Sequence, residues 1–377
     1  MKVVVLFLVS SILLFPLTSM AATTINQIDY ATYNTAFNIT SHVDEPYGIY
    51  YVQSLNSIAV ANDGNNTISV YNSSTGSFLL SVRTGIMPVS VAYDTRSNEL
   101  IAADSGSNQI SIVNMNARSE LNVNVGPNPL SVLYDQLNNM IYVANSGSHY
   151  QMVTVVNATT DRTVGNISVG FEPDGIAVDP VTGNLYVSSA INGTVSVVSP
   201  SNNSVIDTIN VGDIPEGIVY DEGINSIAVS VYGSSDVVII NPISENVTSS
   251  TFVPFGPAQI ADLGNGYLGV SDFVSSNVTI LNSATGAIVS TVKVPSGPSG
   301  IAFDPKSGQI FVADFAANAI TILQPHFISK SAFSSDYYFV IGGVLVSIIT
   351  GVAIYNRILS RNGPRNIWLQ FRETPSG

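Results

Sequence analysis

Short apolar runs, each only a few residues long and cut by Gly, Asn, Asp and Ser, follow one another from Pro46 to Gln324. The stretch PDGIAVDPVTGNLYVSSAINGTVSVV (173–198) holds three of them. They are too short for helices and rich in Val, Ile and Tyr, and the third alternates apolar with polar residues, so they are predicted to be strands. A fourth and more polar run, such as SVIDTINVG (204–212), closes the unit and predicts an outer edge strand.

The unit recurs. Prolines at 46, 88, 129, 173, 215, 257 and 298 launch it, at spacings of 42, 41, 44, 42, 42 and 41 residues. A period near forty with several strands per unit is the signature of a propeller, in which each small sheet buries both faces against its neighbours. Two residues after each proline stand Gly48, Ser90, Ser131, Gly175, Gly217, Gln259 and Gly300. Small residues suit a place where innermost strands crowd towards an axis. The seventh unit lacks a fourth strand after AITILQ (319–324), but TAFNITSHVDEP (35–46) upstream of the first proline can supply one. The expected fold is therefore all-β: a seven-bladed β-propeller of four-stranded blades whose N-terminal strand closes the last blade. Six or eight blades are the alternatives.

The ends have a different character. MKVVVLFLVSSILLFPLTSMAATT has one lysine, an apolar run from Val3 to about Leu17, and small residues at Ser19 and Ala21. That is the layout of a secretory signal peptide cleaved after Ala21, with an uncleaved anchor as the alternative. YYFVIGGVLVSIITGVAIY (337–355) carries no charge. As a helix rising ~1.5 Å per residue it would span ~28 Å, enough for a hydrocarbon core of ~30 Å. Tyr337, Tyr338 and Tyr355 sit where interfacial aromatics belong, and Arg357, Arg361, Arg365 and Arg372 follow. The positive-inside rule then puts the C-terminus in the cytoplasm and the repeats outside the cell. The expected organisation is a signal peptide (1–21), a propeller ectodomain (22–326), a stalk (327–336), one transmembrane helix (337–356) and a basic cytoplasmic tail (357–377). The protein would thus be a single-pass membrane protein.

Charge supports an extracytoplasmic binding role and opposes nucleic acid as a partner. Residues 22–336 carry seven Lys or Arg against 25 Asp or Glu, a balance of −18. Such a surface attracts cations or basic partners. The chain has no cysteine, so its core must hold it without disulfides. Nine Asn-x-Ser/Thr sequons permit glycosylation.

The repeats resemble the YVTN β-propeller family, whose units run PxxIAVDP, YVAN, VSVID and TIxVG in succession. GIAVDPVTGNLYVSS (175–189), MIYVANSG (140–147), GIAFDPKSGQIFVAD (300–314) and VIDTINVG (205–212) carry the likeness, which extends over about Pro46 to Gln324. The resemblance implies a surface-layer or cell-surface protein of the archaeal type. Related propellers include lactonases and streptogramin lyases, so it also leaves enzyme activity open.

Strand direction sorts the loops into two faces. One face, pointing away from the membrane, is expected to gather the ends of the second strands: Asn62, Asp104, Asn145, Ser189, Asp272 and Asp314. It also gathers acids of the launching turns, Asp44, Glu45, Glu172, Asp174, Asp213 and Glu216. Carboxylates and amides suit a divalent cation such as calcium, or a protein, glycan or other cationic partner at the channel mouth. Local hydrogen bonding in turns also accounts for Asn and Asp at such places, and for the strand-end set it is the favoured reading. Asp174 and Glu216, one residue after the proline in adjacent blades, are the sharpest metal candidates. His149, in the lengthened loop SGSHYQM, is a candidate binding protrusion or a tolerated insertion.

Asp94, Asp135, Asp179, Asp221 and Asp304 end the first strands and read as one repeated structural turn. His42, His149 and His326 form no repeated inward set, and the single Trp368 lies in the tail. No phosphate loop or nucleophile elbow is found. Two functions remain: a binding or structural surface module, and a metal-dependent lactonase- or lyase-like enzyme with its site at the channel mouth.

Overall fold

Each launching proline begins a strand that lies innermost in its sheet. The computed structural model describes residues 24–253 and 256–331. It holds seven four-stranded sheets, and six of them are built from four consecutive strands. The seventh joins Pro298–Phe303, Ile310–Asp314 and Ala319–Ser331 to the N-terminal strand Thr24–Ile39, which forms its outer edge. We number the blades 1 to 7 from Pro46 to Pro298. First strands of neighbouring blades touch all the way round, blade 7 against blade 1 included, so the ring of seven is closed.

Period-two alternation explains the packing. In a four-stranded blade, successive side chains face opposite neighbours. Seven apolar clusters result, one between each pair of blades: Tyr186, Val195 and Val197 of blade 4 meet Ile227, Val229 and Val231 of blade 5, whereas Ala228 turns to Leu268 and Val270 of blade 6. The second strands are buried along their whole length in Ser57–Asn62 and Ser226–Val231, and the fourth, as in Ser119–Asn124, is mostly exposed. At ~1.5–3 kcal/mol per fully buried Val, Leu or Ile, these clusters are what replaces disulfides.

The launching sequence is a backbone device. A proline is tolerated as the first residue of an edge strand because its missing N–H faces the channel. The residue before it cannot readily adopt the right-handed helical region. It is left-handed in every blade: Glu45, Met87, Asn128, Glu172, Ile214, Gly256 and Gly297 all have φ between 48° and 76°. This turn carries the chain from one blade's outer strand to the next blade's centre.

The crowding is real. A Cβ on Gly175 would stand 2.5 Å from the Glu216 carbonyl oxygen, and one on Gly300 would stand 2.5 Å from that of Tyr47. Gly175→Ala should therefore cost about 1–3 kcal/mol by overpacking. Gly165→Ala, whose Cβ would meet only Asn203 Nδ2 at 3.8 Å, should be near neutral. Urea unfolding midpoints of the two variants check this; equal midpoints would mean that the blades can part at no cost.

The repeated aspartates at the ends of first strands are buried turn organisers. Asp94, Asp135, Asp179, Asp221 and Asp304 each accept the backbone N–H two residues on, at 2.7–2.9 Å. The N-terminal closing strand starts earlier than the sequence segment suggested, at Thr24, and the last blade's third strand runs past 326 to Ser331. The expected signal peptide (1–21), transmembrane helix (337–356) and tail (357–377) lie outside the described residues. Among the described residues no helix is long and apolar enough to cross a membrane.

Candidate functional site

All seven first strands pair irregularly just after their prolines: the register shifts between Pro173 and Ile176, between Pro215 and Ile218, and likewise in the other five. Such bulges re-aim side chains. The residue after each proline, in blade order Tyr47, Val89, Leu130, Asp174, Glu216, Ala258 and Ser299, lines a cavity of about 420 Å³ at one end of the channel. Tyr232 and Phe273, which directly follow the second strands of blades 5 and 6, and Gln259 complete its walls.

Only Asp174 and Glu216 bring charge to this ring, and no Lys, Arg or His lines it. Both are half-buried. Among the described residues neither carboxylate receives a hydrogen bond. Enclosure by protein pushes both above the usual carboxylate range, and the charge of Asp174 pushes Glu216 further. Two carboxylates so placed hold on to a proton that isolated ones would lose.

One hydroxyl sets their spacing. Ser188 Oγ, on the second strand of blade 4, accepts the N–H of Gly175 at 2.8 Å and donates to the Glu216 carbonyl at 2.6 Å. It thus ties the backbone beside Asp174 to the backbone of Glu216 across the blade interface. Ser230 and Ser271 bridge to Ala258 and Ser299 in the same way, at 2.5 Å each. Opposite the acids stands Tyr47, 36% exposed, with Phe315 edge-on at a centroid distance of 5.8 Å. Burial, then the charges of Asp174, Glu216 and Asp63, raise the Tyr47 hydroxyl far above its ordinary value, so it stays a neutral donor.

The strand-end candidates do not share this mouth. Asn62, Asp104, Asn145, Ser189, Asp272 and Asp314 are fully buried, so their side chains are not presented on a partner-binding face. Five of them turn inwards to the third strand: Ser111, Thr279 and Thr321 donate to Asp104, Asp272 and Asp314, and the Asn62 and Asn145 amides donate to Ser69 and Thr154, whereas Ser189 Oγ is buried without a partner among the described residues. In blade 1 the loop partner is visible too, since the Asp44 N–H donates to Asn62 Oδ1 at 3.3 Å. These groups pin the blade's interior, which is why Asn and Asp recur there. His149 is exposed and meets Phe171 edge-on at 6.4 Å. Asp44, Glu45, Glu172 and Asp213 lie in launching turns outside the cavity lining.

A resident metal fits this donor set poorly. Calcium takes ~6–8 oxygens, and among the described residues no three His, Cys, Asp or Glu side chains stand together to hold an ion. The mouth offers two carboxylates, one amide and a few serine hydroxyls spread around a wide cavity.

Sequence position picked out Asp174 and Glu216 but not their surroundings. Tyr47 occupies the same repeat position as the two acids and was legible on that ground. Tyr232 and Phe273 replace the small Ser105, Ser146 and Ala190 of other blades. Ser188 carried no signal, because a serine in a buried strand has many uses.

Neither a protein-family match nor a match to a curated protein exists for this chain. Solved structures do match. The hydrazine synthase of Kuenenia stuttgartiensis aligns at a TM-score of 0.69 with 16% identity, over 78% of this chain and 99% of that one. A streptogramin B lyase aligns at 0.67 with 14% identity, over 78% of this chain and 98% of the lyase chain. At such identity the likeness establishes a common fold, and the chain is a seven-bladed β-propeller.

Proposed function

We propose that this chain is a membrane-anchored, extracytoplasmic binding propeller, of the YVTN surface-protein type, that captures a cation in the mouth of its channel. The observation that carries the reading is the pair Asp174 and Glu216, which line a cavity of about 420 Å³ and, among the described residues, receive no hydrogen bond and share the cavity with no protein cation. Uncompensated carboxylates in an enclosed site are costly unless a ligand completes them. The acidic ectodomain draws cations towards the ring, and low-dielectric channel walls focus that field. Anchoring and orientation rest on the apolar run 337–355 and the four arginines after it. The alternative, a metal-dependent lactonase- or lyase-like enzyme, needs a third strong ligand beside the acidic pair, and the mouth does not provide one.

Calorimetric titration of calcium, magnesium and n-butylammonium into the parent and the Asp174→Asn/Glu216→Gln double variant tests the reading. At least one cation should bind the parent. None should bind the variant, whose unfolding midpoint should be no lower. Absence of binding to the parent, or equal binding to both proteins, would overturn it.

A further inference from the structure

Resting on that cation-site reading, we propose that the ligand is a protonated primary amine with an apolar body, its N–H groups on Asp174 and Glu216 and its body against Tyr47, Tyr232 and Phe273. Three features of the mouth separate this ligand from a metal ion. The first is what the carboxylates lack. Each is half-buried in the cavity lining and receives no hydrogen bond among the described residues, so a ligand that brings donors as well as charge suits them. An ammonium group has three N–H donors; a quaternary ammonium has the charge and none of the donors.

The second feature is size. The cavity of about 420 Å³ lies within the range of small-molecule pockets, roughly 300–1,000 Å³, and far exceeds what a bare ion fills. The third is the lining. Tyr47, Tyr232 and Phe273 offer ring faces and edges, and Val89 and Leu130 add aliphatic wall. Aromatic rings attract a desolvated ammonium and also cover an apolar body. A hydrated metal ion has no apolar body for such walls to cover.

The groups that can titrate in this site are Asp174, Glu216, Tyr47 and Tyr232, with Asp63 acting on Tyr47 from nearby. Because the acidic pair retains a proton readily, a monocation can balance it without displacing that proton. A divalent ion has to displace it to gain its full attraction.

The test uses four probes against the full chain at pH 7: benzylammonium, benzyltrimethylammonium, benzyl alcohol and calcium. Benzylammonium should bind about tenfold or more tightly than the quaternary and neutral analogues, because only it satisfies both carboxylates. Asp174→Asn/Glu216→Gln should weaken it at least about tenfold, and Tyr232→Ala/Phe273→Ala about fivefold, the latter by lost ring contact. Thermal unfolding of each variant checks that the fold is intact. Equal binding of benzylammonium and benzyl alcohol, or of the quaternary analogue, would overturn the amine assignment. Calcium binding that displaces the amine would also overturn it while leaving the cation site standing. Binding of none of the cations would sink both.

Discussion

A chain without residues 24–39 should not hold its fold at room temperature. That strand is the fourth of blade 7, and it also reaches blade 6. Tyr30 stacks on Tyr267 at a centroid distance of 3.9 Å and an interplanar angle of 10°, and its hydroxyl donates to the Leu263 carbonyl at 2.9 Å. Tyr33, 4% exposed, donates to the Gly308 carbonyl at 2.8 Å. Ile39 enters the apolar cluster between blades 7 and 1. The strand therefore closes the ring on both sides of its own blade. Each buried aromatic truncated to alanine costs ~3–5 kcal/mol, against a total of ~5–15 kcal/mol for a typical domain. Deletion also leaves the strand Ala319–Ser331 as an open edge, an invitation to aggregate. Tyr30→Ala and Tyr33→Ala should each lower stability by about 3–5 kcal/mol. Tyr33→Phe should lose only about 1 kcal/mol with its hydrogen bond. Urea unfolding followed by circular dichroism reads all of these, and an undisturbed midpoint in Tyr30→Ala would place ring closure elsewhere.

The repeat made most of this fold legible, for a physical reason. A blade cannot bury its faces alone, so each must carry the same pattern, and a pattern repeated at a near-constant spacing is easy to see. The prolines mark strand starts to the residue because an edge strand facing a channel is where a missing N–H does no harm. Gly175 and Gly300 were readable as crowded positions, and they are crowded. Asp174 and Glu216 were readable because they break the repeat with charge at one fixed place. The strand-end residues left a partner-binding reading open beside the favoured structural one for the complementary reason. Asn62, Asp104, Asn145, Asp272 and Asp314 also repeat, and a repeated polar residue next to a turn looks exposed in sequence. Only the structure shows each side chain folding back onto the third strand, with 0% exposure. Tyr232 and Phe273 directly follow second strands, on the face that strand direction assigns to the channel mouth, but which of those seven positions reaches the cavity depends on side-chain size and packing that the repeat alone does not reveal.

The strand-end aspartates make the last prediction, which concerns pH. Asp104, Asp272 and Asp314 each have one oxygen held by a Ser or Thr hydroxyl, at 2.7, 2.6 and 2.5 Å, and another that is buried with no partner. Desolvation pushes all three up to about 7, and their hydrogen bonds offset only part of it: the hydroxyl in each, joined by Gly85 and Gln109 at Asp104 and by the Thr321 backbone at Asp314. A carboxyl raised in the folded state binds its proton more tightly there than in the unfolded chain, where its ordinary value is 3.8. Its favourable contribution is therefore full below about pH 4, declines as pH rises towards about 7, and is gone above. Asp174, Glu216 and Asp262 are shifted in the same direction and act with the same sign. The protein should consequently be more stable at pH 5 than at pH 8, the reverse of a fold held by salt-bridged carboxylates. Blades 1 and 3 already carry the neutral counterpart, Asn62 and Asn145, in the same place and bonded to the same third-strand hydroxyl. Asp272→Asn/Asp314→Asn should accordingly keep the geometry, gain about 1–3 kcal/mol over the parent at pH 8, and show little advantage near pH 4. Urea midpoints of parent and variant at the two pH values decide the matter. A parent that strengthens between pH 5 and pH 8, or a variant no more stable than the parent at pH 8, would show that these carboxylates stay ionised inside the blades, their hydrogen bonds outweighing desolvation.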